Sequence, residues 1–151
     1  MKFPDFLEVA GDLDFRGDCP HEHVEQNIFF NLIRKIYPNS YGKIAIHPEN
    51  EGKRSYGQAN FSKSQGMTKG AADVIIPGDM SFAIEIKRKD HTKSKWEDGQ
   101  IEYLEASIQM GCITFVALGG NAAFERFNEL LGIKYGAEIS SPDVYRPIKL
   151  F

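Results

Sequence analysis

The 151-residue sequence has no run of apolar residues long enough to cross a bilayer, so a helical membrane protein is not expected. It has only two cysteines, Cys19 and Cys112, far apart in the chain. Nothing there calls for a disulfide framework, and free thiols in a reducing compartment are expected. A basic-then-apolar leader is also missing: the first residues carry Asp5, Glu8, Asp12 and Asp14 instead, which points to a cytoplasmic protein. Internal repeats and low-complexity tracts are absent, and glycine and proline are not gathered into a linker. What remains, at 42% hydrophobic, is a chain able to bury one ordinary core.

Positive charge is scarce overall, with a net charge of -3, but it is unevenly spread. From Lys53 to Lys95 there are nine Lys or Arg against four acids, so this segment carries +5 and the remainder -8. The cations are Lys53, Arg54, Lys63, Lys69, Lys87, Arg88, Lys89, Lys93 and Lys95. Such a concentration suits a phosphate backbone, and it equally suits a solvated surface.

Periodicity supplies the organisation. Residues 1–17 read as an N-terminal extension, 18–135 as the domain and 136–151 as a tail. A helix-start signal at Asp18, Cys19 and Pro20 precedes an apolar stripe of Val24, Ile28, Leu32 and Ile36, with Phe29 and Ile33, ending at Tyr37-Pro38. Lys43 to His47 alternates as a strand does, and a short helix is expected from about Tyr56 to Gln65. Ala72 to Ile76 and Phe82 to Lys87 are strands joined by a Pro77-Gly78-Asp79 turn. Trp96 to Met110 has helical spacing and stops at Gly111; Cys112 to Leu118 reads as a buried strand; Asn121 caps a last helix to Leu131. The expected order is αβββαβα, a mixed central sheet flanked by helices.

The chemistry lies in the two middle strands. Glu85 and Lys87 are two apart in one strand and so share a face, while Asp73 opens the strand before it. Charges on buried strands need pairing or a cation. One reading is a Glu85, Lys87 and Asp73 ion cluster on a solvated sheet face. The other is a Mg²⁺ or Mn²⁺ site in which Asp73, Glu85 and the Ile86 carbonyl supply oxygen ligands and Lys87 acts on the phosphate or its attacking water.

Gly70-Ala71-Ala72-Asp73, then Glu85-Ile86-Lys87, then Gln100-x-x-Tyr103 resembles the PD-(D/E)XK nuclease superfamily. Within it the pattern is most similar to the virus-type replication-repair nuclease domain, VRR-NUC, including short stand-alone phage proteins. His47-Pro48-Glu49-Asn50-Glu51-Gly52-Lys53-Arg54-Ser55 resembles that family's Asn-Glu-Gly-Lys-Arg-Ser loop, and Gly66-Met67-Thr68-Lys69-Gly70 its approach to the aspartate. The likeness runs from about Glu22 to Leu118. It departs at Ala72, where the family usually has proline, and the Val-Arg-Arg signature is not evident.

The resemblance implies a restriction-endonuclease-like fold and a metal-dependent endonuclease acting on DNA. It further implies branched or four-way-junction substrates, a homodimer, no organic cofactor, and a bacterial or phage-infected host cell. It gives Gln100 a place in the site and adds a glutamate from the first helix. Glu25 falls in the middle of that helix's apolar stripe and is the expected residue; Glu22, nearer the edge, suits a first-turn dipole role. Lys53, Arg54, Lys69, Arg88, Lys89, Lys93 and Lys95 are expected to meet DNA backbone. The competing class is a nuclease-fold module that binds DNA or protein without cutting.

Other signals are weaker. Cys19, His21 and His23 suggest zinc only if Cys112, His47 or His91 joins them. Gly119-Gly120-Asn121 suits either a phosphate or a plain turn with a cap. Glu49 and Glu51 either approach the metal or belong to a solvated loop.

Overall fold

The structure is a computed structural model that describes residues 1–48 and 56–135. Its strands are β1 (Glu8–Ala10), β2 (Val74–Ile76), β3 (Phe82–Lys87) and β4 (Ile113–Leu118). Its helices are α1 (Glu22–Ile36), α2 (Tyr41–Ile44), α3 (Tyr56–Ser64), α4 (Gln100–Gln109) and α5 (Gly120–Tyr135), with a 3-10 turn at His91–Lys93. The strands form one mixed sheet in the order β1-β4-β3-β2: β4 runs parallel to both β1 and β3, and β2 is antiparallel to β3. This is the expected α/β class.

β3 is the centre of the molecule, and all six of its residues are buried. Strand alternation divides them between two cores. Phe82, Ile84 and Ile86 face α1 and α5, where Phe29, Ile33, Phe127 and Leu131 meet them. Ala83 faces the other way, among Leu7, Leu104 and Val116. Each fully buried large side chain contributes roughly 1.5–3 kcal/mol. Covering both faces of β3 therefore supplies much of the driving force that keeps charged Glu85 and Lys87 inside. No described helix is long and apolar enough to cross a membrane.

Several expectations need correction. Residues 1–17 are not merely an extension, because β1 pairs with β4 at the sheet edge, Ala10 opposite Ala117. Three residues, one of them Glu8, are too few to show alternation. The strand expected at 43–47 is instead the α2 turn followed by a single bridge, Ile46 to Ile75. The buried stripe of α1 is Glu25, Phe29, Phe30 and Ile33, so Val24 lies outside it and is exposed. The helix expected from Trp96 begins only at Gln100, and the last helix continues through Gly132 to Tyr135. The loop residues Glu49, Glu51, Lys53 and Arg54, and the tail 136–151, lie outside the described residues.

Phe127 packs edge-on against Tyr41 at 5.3 Å and Phe82 at 5.0 Å, joining α5 to α2 and β3. Truncating it leaves a cavity the sheet cannot close. Phe127→Ala should lower unfolding free energy by about 3–5 kcal/mol in denaturant titration. A loss under about 1 kcal/mol would show that this cluster is not the core's anchor.

Candidate active site

The β2–β3 register places Val74 opposite Ile84, and one step further along it brings Asp73 against Glu85 and Ile86. The Ile86 backbone N–H donates to Asp73 Oδ2 at 2.8 Å. His47 Nδ1 lies 2.7 Å from the Asp73 carbonyl oxygen, fixing the same residue from the other side. Burial, with Glu22 adding to it, raises the Asp73 carboxyl to about 6, against the opposing pull of the Ile86 N–H and Lys87. Burial also raises Glu85 well above the usual carboxylate range; Asp73 and then Glu22 push the same way, and Lys87 opposes them.

Lys87 is fully buried and spends its ammonium on three acceptors. These are Glu85 Oε1 at 3.0 Å, Gln100 Oε1 at 3.0 Å and the Lys95 carbonyl at 3.1 Å. Its Nζ also sits 5.2 Å from the centre of the Trp96 ring, a cation–π contact. Gln100 completes the group: its Nε2 donates to Glu85 Oε1 at 2.7 Å, and its Oε1 also accepts from Glu97 N at 2.8 Å. One oxygen of Glu85 is thereby saturated. The other, Oε2, is buried and has no hydrogen-bond partner among the described residues.

Gln100 is positioned by a close crossing. Gly70 (φ 73°) and Gly99 (φ 89°) pass so near each other that a Cβ on Gly70 would lie 2.2 Å from the Gly99 carbonyl carbon and 2.5 Å from Gln100 N. Only glycine fits there, and Gly99 in the left-handed region also explains why α4 starts at Gln100 and not at Trp96. Trp96 is thus freed from the helix to cover Lys87, its Nε1 donating to the Lys2 carbonyl at 2.9 Å.

The two glutamates of α1 meet different partners, and Glu25, the expected site residue, is held at the start of α5. Glu25 is fully buried, but its Oε2 accepts from Gly120 N at 2.8 Å, at the start of α5. There a Cβ on Gly120 would lie 2.2 Å from the Glu25 carbonyl oxygen, so α1 and α5 meet backbone to backbone. This contact replaces the Asn121 cap expected from sequence. Glu22, one turn-edge earlier, is the carboxylate whose charge reaches Asp73 and Glu85, and the Ser94 hydroxyl holds it at 2.7 Å.

The basic residues are less free than expected. Lys69 pairs with Asp98, and Lys95 with Glu97 at 3.2 Å. Arg88 donates to the Cys19 carbonyl at 2.7 Å and the Pro20 carbonyl at 3.1 Å, and Lys93 to the Gly17 carbonyl at 2.7 Å. The Lys89 stem lies against Gly119, where an added Cβ would meet its Cγ at 3.0 Å. Buried Asp90 fastens the same N-terminal segment, accepting from Gly17 N at 3.1 Å and from the Thr92 hydroxyl at 2.6 Å. These bonds, the hydroxyl first, hold its carboxyl at about 2.

Sequence reasoning gave no role to His47 and Trp96, which nothing local marks; Glu22 was weighed as the alternative first-turn acid. Among the described residues no three His, Cys, Asp or Glu side chains come together as a metal-holding group, neither Cys19, His21 and His23 nor Asp73, Glu85 and Glu22.

No family profile matches the chain, and no curated protein does either. A solved structure described as "VRR_NUC domain protein" matches with a TM-score of 0.57 at 22% identity, over 76% of this chain and 89% of its own. The two chains share a fold.

The raised Asp73 carboxyl has a consequence for stability. A carboxyl whose folded value lies above its unfolded one opposes folding once ionised, so its contribution worsens as pH rises from about 4 to about 6. In chelating buffer, Asp73→Asn should be more stable than the unmodified chain at pH 7, on the order of 1–3 kcal/mol, with the difference shrinking towards pH 4. Equal thermal midpoints of the two proteins at both pH values would show that Asp73 ionises without strain.

Proposed function

We propose that the chain is a Mg²⁺- or Mn²⁺-dependent endonuclease that hydrolyses phosphodiester bonds in DNA. The observation that carries this is the buried, unpartnered Glu85 Oε2 beside Asp73 and within the field of Glu22. Asp73 and Glu22 add negative charge at Glu85, and Lys87 offsets it only in part, since its ammonium pairs with Glu85 Oε1 and is shared with Gln100 and the Lys95 carbonyl. The donors fit a hard cation: Glu85 Oε2, the Asp73 oxygen not held by Ile86, and the Ile86 carbonyl are all oxygen. When bound, such an ion would lower the pKa of a water and neutralise charge on the phosphate.

The chain's own residues have separate tasks in this reading. Gln100 and Lys87 grip Glu85 Oε1, so the free oxygen keeps one direction. Lys87 retains a fixed positive charge in a site closed to water, where charge developing on phosphate is stabilised most. Glu22, steadied by Ser94, is the third carboxylate. The name of the structural neighbour supports nuclease chemistry on this fold. The finer reading is branched or four-way-junction DNA cut by a homodimer, because one domain of this size has little surface with which to recognise a junction.

The test is incubation of linear, flapped and four-way-junction DNA with the protein, with and without Mg²⁺ or Mn²⁺, beside size measurement in solution. Cleavage should disappear in chelator and in Asp73→Ala or Glu85→Ala. Lys87→Ala should lower the single-turnover rate at saturating DNA far more than it lowers affinity. Cleavage undiminished in Glu85→Ala would sink the proposal.

The two α1 glutamates should separate in the same assays. Glu22→Gln should reduce cleavage at least tenfold with little change in melting temperature. Glu25→Gln should mainly cost stability, about 1 kcal/mol, through the start of α5. The reverse pattern would return Glu25 to the site.

A further inference from the structure

A cleft of about 370 Å³ opens at the start of α1, lined by His21, Glu22, His23, Arg88, Lys93, Ser94, Lys95 and Glu97. Its volume lies in the range of pockets that hold small ligands. It shares Glu22 with the carboxylate group, and Arg88, Lys93 and Lys95 of its lining are among the cations expected to meet DNA backbone; the cleft itself, with its two histidines, is a new feature. We infer that this cleft receives the phosphodiester backbone of a DNA strand next to the phosphate at Asp73 and Glu85, with the His21 and His23 rings as a stacking surface for a base. The inference rests on the nuclease reading for the strand's direction, but not for its binding.

Two physical features favour a phosphate. First, Arg88 and Lys93 are anchored by neutral carbonyls of Gly17, Cys19 and Pro20. A cation satisfied by carbonyls is held in place without being neutralised, unlike Lys95, whose partner is Glu97. Lys93 also lies near enough to Asp90 to help hold that carboxyl down, so part of its charge is met there. Second, the lining holds three cations, Arg88, Lys93 and Lys95, against two carboxylates, Glu22 and Glu97, and Glu97 is paired with Lys95. Glu22 accepts from the neutral Ser94 hydroxyl and keeps its charge, so the lining carries a formal excess of one positive charge.

The rings of His21 and His23 lie nearly parallel, 12° apart with centroids at 6.0 Å, and both residues are exposed. Two aligned rings beside fixed cations are the pairing by which single strands are held, bases on the rings and phosphates on the cations. Glu22 lines the cleft and its charge reaches Asp73 and Glu85, so the cleft lies beside that pair.

The experiment measures anisotropy of a short fluorescein-labelled single-stranded oligodeoxynucleotide, in Ca²⁺, across a salt series. Lys93→Ala should weaken binding about three- to tenfold and reduce the salt slope by about 0.7, the value for one phosphate contact on a single strand. The double variant His21→Ala/His23→Ala should weaken binding with a smaller change in slope, since stacking releases few ions. His23→Glu should weaken it further. Lys35→Ala, at the far end of α1, should change neither quantity. Unchanged affinity and slope in Lys93→Ala and in the histidine double variant would overturn the inference. A chain that cuts DNA yet gives that result refutes the cleft alone. A chain that never cuts yet shows the expected losses refutes the nuclease reading and leaves the cleft standing.

Discussion

An ion pair on a strand buried from both sides is the constraint around which this molecule is arranged. Glu85 and Lys87 sit on β3, with α1 and α5 behind it and α4 in front. Removing each charge from water costs several kcal/mol, and the attraction between them repays that only if the remaining donors and acceptors are met. Everything that follows β3 in the chain serves that requirement. The Lys95 carbonyl, the Trp96 ring and the Gln100 amide all converge on Lys87 or Glu85 within thirteen residues of the pair. The Gly70–Gly99 crossing then sets where Gln100 begins its helix.

The same segment organises the N-terminus. Arg88, Asp90, His91 and Lys93 hold the backbone of residues 13–20, and Ser94 holds Glu22. Residues after the central strand thus decide how α1 approaches the site, and through it how a third carboxylate reaches the pair. From the other side, Trp96 is tied to the Lys2 carbonyl and lies edge-on to Phe3 at 6.2 Å. The first twenty residues are a structural part of the site's support.

How much of this was legible in the sequence follows from the range of each cause. β3 and its Glu-x-Lys spacing announce themselves, because strand alternation is a local rule and two charges amid aromatic and β-branched residues violate it visibly. Gln100 was found through resemblance alone; no local pattern separates it from a solvated helix residue. The rest depends on partners distant in sequence. β1 is a strand only because β4 lies beside it. Lys43 to His47 alternates, yet α1 packs on α2 and leaves only Ile46 to bridge. Asn121 is a good cap by composition, but Glu25 reaches Gly120 first, from ninety-five residues away. Arg88 and Lys93 looked free because their acceptors are backbone carbonyls, which carry no mark in a sequence.

Two buried glutamates each leave one oxygen unpartnered, Glu25 Oε1 and Glu85 Oε2, so a vacant acceptor alone does not identify a site. Their surroundings separate them. Glu25 faces the N-terminal end of α5, where its other oxygen holds Gly120 N and the helix's partial positive charge offsets its own. That field is already balanced. Glu85 faces Asp73 and Glu22, and Lys87, the cation acting on it among the described residues, is shared by three acceptors. Additional positive charge is favoured at Glu85 and not at Glu25, although the apolar stripe points more directly to Glu25. The local electrostatic field, more than burial or helix phase, separates the two buried glutamates.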